Sequence, residues 1–224
     1  MRSKTRAGAV LVLLLLVGGC VVGDQLTTFT IHPDGSADLV IFRSNLRSTE
    51  EGAKADNEIA EFKAKFDART EDELARIRDA GGTIVQASWV REQAPLSSLV
   101  HAQFPNASAF EKFLTIKNED GSLLIKTQFQ NDGPRRSLTV HITLPVDKAN
   151  PPQPSPSGVE QLRQADANGI SETRIALAKG SITAARGFTV AGDKQSALLD
   201  ASAIDEILRT GGKGELYLEW EVTP

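Results

Sequence analysis

One thiol, three imidazoles and a scatter of carboxylates are the groups in this 224-residue chain whose types and spacing bear on chemistry. Cys20 is the only cysteine, so it makes no internal disulfide. His32, His101 and His141 show neither the H-x-x-x-H nor the H-E-x-x-H spacing that sets two imidazoles on one helix face around zinc. His32 precedes a turn, while His101 and His141 fall mid-strand, where a sheet can bring them near each other; each is expected to serve structure. Asp34-Gly35-Ser36-Ala37-Asp38 and Asn118-Glu119-Asp120-Gly121 look like fragments of calcium loops, but neither carries the full set of oxygen ligands with its closing bidentate acid. Turn chemistry explains both. No Gly-x-Ser-x-Gly elbow presents a serine, and there is no phosphate-binding or dinucleotide glycine pattern. The carboxylate pairs Glu50/Glu51 and Glu71/Asp72 stand at expected helix starts, where the dipole favours negative charge. Asn106 opens a formal glycosylation sequon, but is read instead as the cap of the helix that begins there. No catalytic residue, metal ligand or cofactor site is expected.

The context of Cys20 says what its thiol is for. Arg2, Lys4 and Arg6 form a positive stretch, and Ala7 to Val17 is apolar except for Gly8. That run of about a dozen residues is short of the roughly 20 that span a bilayer, which suits a signal peptide over residues 1–19. Val17-Gly18-Gly19-Cys20 then resembles the lipobox of bacterial lipoproteins, with Val where Leu is more usual. The resemblance implies a mature chain starting at Cys20, with acyl chains on the thiol and the new amino group. More than one chain gives stable anchoring. Val21 stands where an Asp often retains such proteins in the inner membrane, so the outer membrane of a Gram-negative bacterium is the expected location. A body free of other cysteines fits an oxidising compartment.

Residues 1–19 hold three basic and no acidic side chains, which leaves 22 basic against 29 acidic and a net charge of −7 for the remainder. An acidic body argues against nucleic acid as a partner. Apolar residues are 40% of the chain, enough for a core although only 5% are aromatic.

The elements follow from periodicity. Residues 25–32 and 36–43 alternate as strands around Pro33-Asp34-Gly35, a hairpin turn. Ser48-x-x-Glu51 and Thr70-x-x-Glu73 read as capping boxes, the second marking a break in a helical stretch to about Ala80. Ile59, Phe62, Phe66, Leu74 and Ile77 form its apolar stripe. Strands are expected at 83–91 (Val85, Ala87 and Trp89 on one face), 97–104, 121–130 and 136–144, with a helix at 107–114. Five prolines from Pro145 to Pro156 mark a stiff, extended linker or a long excursion from the domain, and a short helix is expected at 159–167. Weak strands at 173–178 and 181–185, a helix at 200–210 and a clean strand at 215–222 complete the chain.

The expected fold is α+β: an antiparallel sheet with helices on one face, and a smaller C-terminal α/β unit. The expected organisation is a signal peptide at 1–19, a lipid-anchored domain at 20–146, a Pro-rich linker at 147–158 and the smaller unit at 159–224. The lipobox, the early Asp-Gly hairpin and the closing Leu-x-Trp strand together resemble lipoproteins of the LppM-like kind, which implies a cell-envelope role without defined chemistry. The expected function is a binding or scaffolding module, held to the membrane by its N-terminal lipid and taking an envelope protein or a lipid-like ligand. The alternative is an envelope hydrolase whose acids meet only on folding; it requires two acids, or a Ser/His pair, converging in a cleft.

Overall fold

The computed structural model describes residues 21–117, 123–143, 171–210 and 212–222. Cys20, the signal segment, the Pro-rich connection, the helix expected at 159–167 and the second calcium-like fragment lie outside the described residues. The chain folds as α+β. Its strands are β1 (Val21–Ile31), β2 (Ala37–Ser48), β3 (Thr83–Arg91), β4 (Leu96–Phe104), β5 (Ile116–Lys117), β6 (Leu123–Asp132), β7 (Arg135–Thr143), β8 (Ser171–Leu177), β9 (Ser181–Arg186), β10 (Phe188–Val190), β11 (Ser196–Leu199) and β12 (Lys213–Glu221). Its helices are α1 (Gly52–Asp67), α2 (Asp72–Asp79), α3 (Ala107–Leu114) and α4 (Ala201–Arg209).

Two sheets share one core. The first has the order β10-β11-β8-β1-β2-β4-β3, the second β5-β6-β7-β12-β9. Among the described residues all pairings are antiparallel except β1 with β8. Strands after residue 170 thus complete the same two sheets as strands before 144. The clean last strand joins the sheet of the earlier hairpin, with β12 between β7 and β9. Leu216, Leu218 and Trp220 are buried there, as its alternation requires.

The inward face of the seven-stranded sheet carries Phe29, Ile31, Leu39, Ile41, Val100 and Phe104, all buried. Phe66 of α1, Leu74 and Ile77 of α2, and Phe110 and Phe113 of α3 pack into the same core, together with Leu138, Leu218 and Trp220 of the second sheet. A smaller core of Ile142, Ile204, Ile207 and Leu216 seats α4.

The local signals act largely as read. His32 N donates to Ser36 O at 2.9 Å across the first turn, and Gly35 takes φ 84°, which costs glycine nothing. Asn106 caps α3, its side chain accepting from Ala109 N at 3.0 Å. Both capping boxes are corrections. Ser48 lies at the end of β2 and its hydroxyl accepts from Glu50 N at 2.9 Å, while the N-cap of α1 is Glu51 with no side-chain bond. The Thr70 hydroxyl donates back to Lys65 O at 3.4 Å, closing α1, and Glu71 is the N-cap of α2. In β3 the register shifts between Ile84 and Gln86, so Val85 leaves the face expected for it and is 51% exposed. The strand β1 begins at Val21, four residues before the expected start. A shift at Val22/Asp24 absorbs Gly23, where a Cβ would lie 2.6 Å from Ser44 O.

Gly187 is where the chain passes from the second sheet to the first, between β9 and β10. It holds φ 77°, and a Cβ there would meet Leu216 Cδ2 at 2.3 Å. Gly187→Ala is expected to destabilise by about 1–3 kcal/mol through overpacking and left-handed strain, measured by urea denaturation.

Candidate functional site

Three polar or open features stand out, and one of them is a cavity between the sheets. A cavity of ≈ 60 Å³, open on one side, is walled by Phe29 of β1, Thr173 and Ile175 of β8, Phe188 of β10 and Leu199 of β11 from the first sheet. Ile125 and Thr127 of β6, Leu138 and Val140 of β7, and Leu216 of β12 face it from the second. Phe113 and Leu114 of α3 and Arg76 of α2 complete the lining. The wall is apolar because every strand contributing to it alternates, and the cavity lies on the face both sheets turn inward. It is less than half the ~150 Å³ of an apolar cavity that takes up benzene, so its volume matches a short chain segment and not a whole lipid.

Thr127, Thr173 and Arg76 bring polar groups to this wall. Thr127 is 4% exposed and its Oγ1 has no hydrogen-bond partner among the described residues. Arg76 donates from Nη2 to Phe113 O at 3.0 Å and lays its guanidinium 5.1 Å from the Phe113 ring centroid. Burial lowers the Arg76 pKa, against the raising effect of Glu73 and Glu71.

The helix that carries Arg76 is pinned by a buried charge network. Arg43, Gln25 and Ser98 are cross-strand neighbours on the inward face of β2, β1 and β4. The Arg43 guanidinium pairs with Glu73 and lies 3.3 Å from Glu71 Oε1, while its Nε donates to Gln25 Oε1 at 3.2 Å. Gln25 donates onward to Thr27 Oγ1 at 3.2 Å. Burial drives the Glu73 carboxyl up to about 7, against the lowering effect of Arg43 and with the help of neighbouring Glu71. For Arg43 the two carboxylates outweigh burial and raise its pKa further. Arg43 Nη1, Glu73 Oε1 and Ser98 Oγ have no hydrogen-bond partner among the described residues.

On the outer face of the first sheet, Asp38 lies between two imidazoles. His32 Nε2 is 2.7 Å from Asp38 Oδ2, His101 Nε2 is 3.2 Å from Oδ1, and Gln103 Nε2 donates to Oδ1 at 2.9 Å. Burial pushes the Asp38 carboxyl up, but the His32, Gln103 and His101 hydrogen bonds outweigh it and hold the pKa below the ordinary value.

These placements answer the sequence reading residue by residue. His101 and His141 do not meet: they lie in different sheets, and His101 meets His32 instead, while His141 Nδ1 is 3.2 Å from Glu215 Oε2. Asp34 accepts from Ser36 N at 2.9 Å and Ser36 Oγ at 2.7 Å, an ordinary turn, so that hydroxyl is not directed at either imidazole. Glu71 belongs to the Arg43 network besides beginning α2. Among the described residues no group of three or more His, Cys, Asp or Glu side chains is placed to hold a metal ion. The acids that do converge, Glu71 and Glu73, are closed around a guanidinium and not presented in a cleft. Residue types and spacing pointed neither to the cavity nor to Arg76 and Thr127 as parts of it. Period-two alternation did place Arg43 on the same face as Leu39 and Ile41, the one signal that could have found the network.

No family model matches the chain, and no curated protein matches it. Among solved structures, the folded domain of Mycobacterium tuberculosis LppM, determined by NMR, is similar with a TM-score of 0.42 and 10% identity, covering 94% of this chain and 95% of that one. The Fcho1 Mu homology domain of Danio rerio with a bound Eps15 peptide gives a TM-score of 0.16 at 11% identity, over 92% and 81%. At TM-scores below 0.5 neither likeness bears on the family of this chain or on what the cavity does.

Proposed function

We propose that this protein is a lipid-anchored module of the bacterial cell envelope that binds an apolar chain in the cavity between its two sheets. The observation that carries the binding reading is the cavity itself: an open-sided space lined by Phe29, Phe113, Ile125, Leu138, Ile175 and Leu216. Well-packed interiors leave few voids, and a void with apolar walls forgoes contacts that an apolar ligand restores. The anchor rests on Cys20 and the segment before it, and an outer-membrane address rests on Val21. Because β1 begins at Val21, no tether separates the sheet from Cys20, and the body sits at the bilayer surface from which an apolar ligand would come.

Two experiments test the two halves. Leu138 is 1% exposed on the cavity wall, so Leu138→Trp is expected to fill the space and reduce binding of a fluorescent fatty-acid probe at least about tenfold, with the fold retained by circular dichroism. Equal binding by the variant places the probe elsewhere and sinks the cavity reading. Cys20→Ala is expected to abolish acyl mass and membrane fractionation; an unacylated, soluble wild type contradicts the anchor.

A further inference from the structure

The face of the seven-stranded sheet that turns away from the core is not the polar surface that strand alternation leaves to solvent. Leu26 of β1, Phe42 of β2 and Leu99 of β4 stand in register on it as one cross-strand row. Val40 lies two residues from Phe42 on the same side of β2. Leu26 and Val40 are exposed, and Phe42 and Leu99 are half-buried. Apolar side chains scattered singly over a surface need no explanation, whereas neighbours on adjacent strands make a continuous patch. Among the described residues no helix covers it. The helices α1, α2 and α3 pack into the core on the other side of the sheet, and α4 packs against Ile142 and Leu216 of the second sheet.

The position of the patch says what covers it. The strand β1 begins at Val21, the residue after Cys20, so Leu26 stands about 20 Å along an extended strand from the anchor point. With no tether, the inclination of β1 decides how far its outward side chains are from the bilayer. A strand standing upright lifts Leu26 by that length; a strand lying flat brings Leu26 and its cross-strand neighbours down to the lipid. Only the flat arrangement takes the patch out of water, the direction the hydrophobic effect favours. The charged groups beside the patch have partners on the same face: Arg174 lies 3.4 Å from Glu172, and Asp38 is hydrogen-bonded to His32 and His101. Such pairing lowers the cost of drawing this face away from water. The patch lies on a sheet face and encloses nothing, so a single dissolved amphiphile gains little there, while an extended lipid surface covers it.

We infer that the outer face of the seven-stranded sheet is a membrane-contact surface, with β1 lying along the lipid bilayer and Leu26, Val40, Phe42 and Leu99 resting on it. This rests on the anchor at Cys20 proposed above and adds the orientation of the body to it. It does not depend on what enters the cavity.

The test uses the full-length acylated protein reconstituted into vesicles of phosphatidylethanolamine and phosphatidylglycerol, with or without a doxyl quencher on the lipid chains. With the Cys20 sulfur blocked by its lipid, Val40→Cys and, in a separate variant, Lys126→Cys each offer one free thiol for an environment-sensitive fluorophore. Lys126 is exposed on the outward side of β6 in the second sheet and serves as the reference. The label at position 40 is expected to shift to the blue and to lose most of its emission to the quencher, and the label at 126 to do neither. Leu26→Glu, added to the variant labelled at 40, is expected to weaken that quenching while acyl mass and flotation with the vesicles stay unchanged. Labels that respond equally at 40 and 126, on protein that floats with the vesicles, overturn the membrane-contact inference and leave the anchor standing. A blue shift at 40 that the chain quencher does not diminish places a second copy of the chain on the patch and also overturns it. Wild-type protein without acyl mass overturns the anchor and this inference together.

Discussion

Replacing Arg43 by methionine is expected to cost about 3–5 kcal/mol of stability above neutral pH, because it leaves Glu73 and Glu71 without the guanidinium that lies between them. Both Arg43 and Glu73 are almost wholly buried, at 4% and 3% exposure, so solvent does not take over the role. Glu71 keeps some access to water and contributes less. The companion Arg43→Met/Glu73→Leu double variant removes both buried charges and is expected to regain most of the loss, since apolar replacement of a buried pair is often neutral. Urea denaturation of the two single variants and the double closes the cycle. The pH dependence has a definite sign. Glu73 has an ordinary value of 4.5 and is raised to about 7 in the folded protein, so the native state holds this proton where the unfolded chain releases it. Its contribution is therefore fully present below about 4.5 and is lost as pH rises through about 7. Glu73→Gln is expected to remove that slope. Asp38 acts in the other direction: its lowered pKa gives stability present above its unfolded value of 3.8 and lost as pH falls through the folded value.

Trp220→Ala is expected to cost about 3–5 kcal/mol, the range for removing a large buried aromatic. Trp220 is 1% exposed in β12, pairs in register with Arg136 of β7 and Ile182 of β9, and stacks edge-on to Phe129 at 5.7 Å between centroids. It belongs to the main core with Phe29, Leu39 and Phe110 of the earlier part of the chain. The loss is therefore expected to appear as one lowered transition by both circular dichroism and tryptophan fluorescence from Trp89, which packs 4.7 Å from Phe66 at the opposite region of that core. Two separated transitions, with Trp89 unaffected, would show that the C-terminal strands fold independently of the rest.

Elements specified by near neighbours were legible in the sequence. The turns at Gly35 and Gly133 need positive φ and have glycine there; the Asn106 cap, the break near Thr70 and the alternation of β12 are equally local. Features that depend on distant pairing were not. The parallel union of β1 with β8 sets Phe29 beside Ile175, far along the chain, and no local pattern encodes that choice. The short strands β10 and β11, at Phe188–Val190 and Ser196–Leu199, were missed because three or four residues show too little alternation to register. The candidate site suffered most. Its cavity exists because two sheets, α2 and α3 meet incompletely, and Arg76 stands outside the apolar stripe of its helix. Val85 was misplaced because it is the extra residue of a bulge between Ile84 and Gln86, while Ala87 and Trp89 keep the expected face.

The central claim, that a ligand enters between the sheets, is tested most directly by methyl-resolved NMR of the protein titrated with decanoate. The predicted result is a saturable set of shifts on Ile125, Leu138, Ile175 and Leu216, with the methyls of Leu26 and Val40, which are 38% and 37% exposed, left in place. Shifts confined to Leu26 and Val40, or none at saturating decanoate, would contradict it.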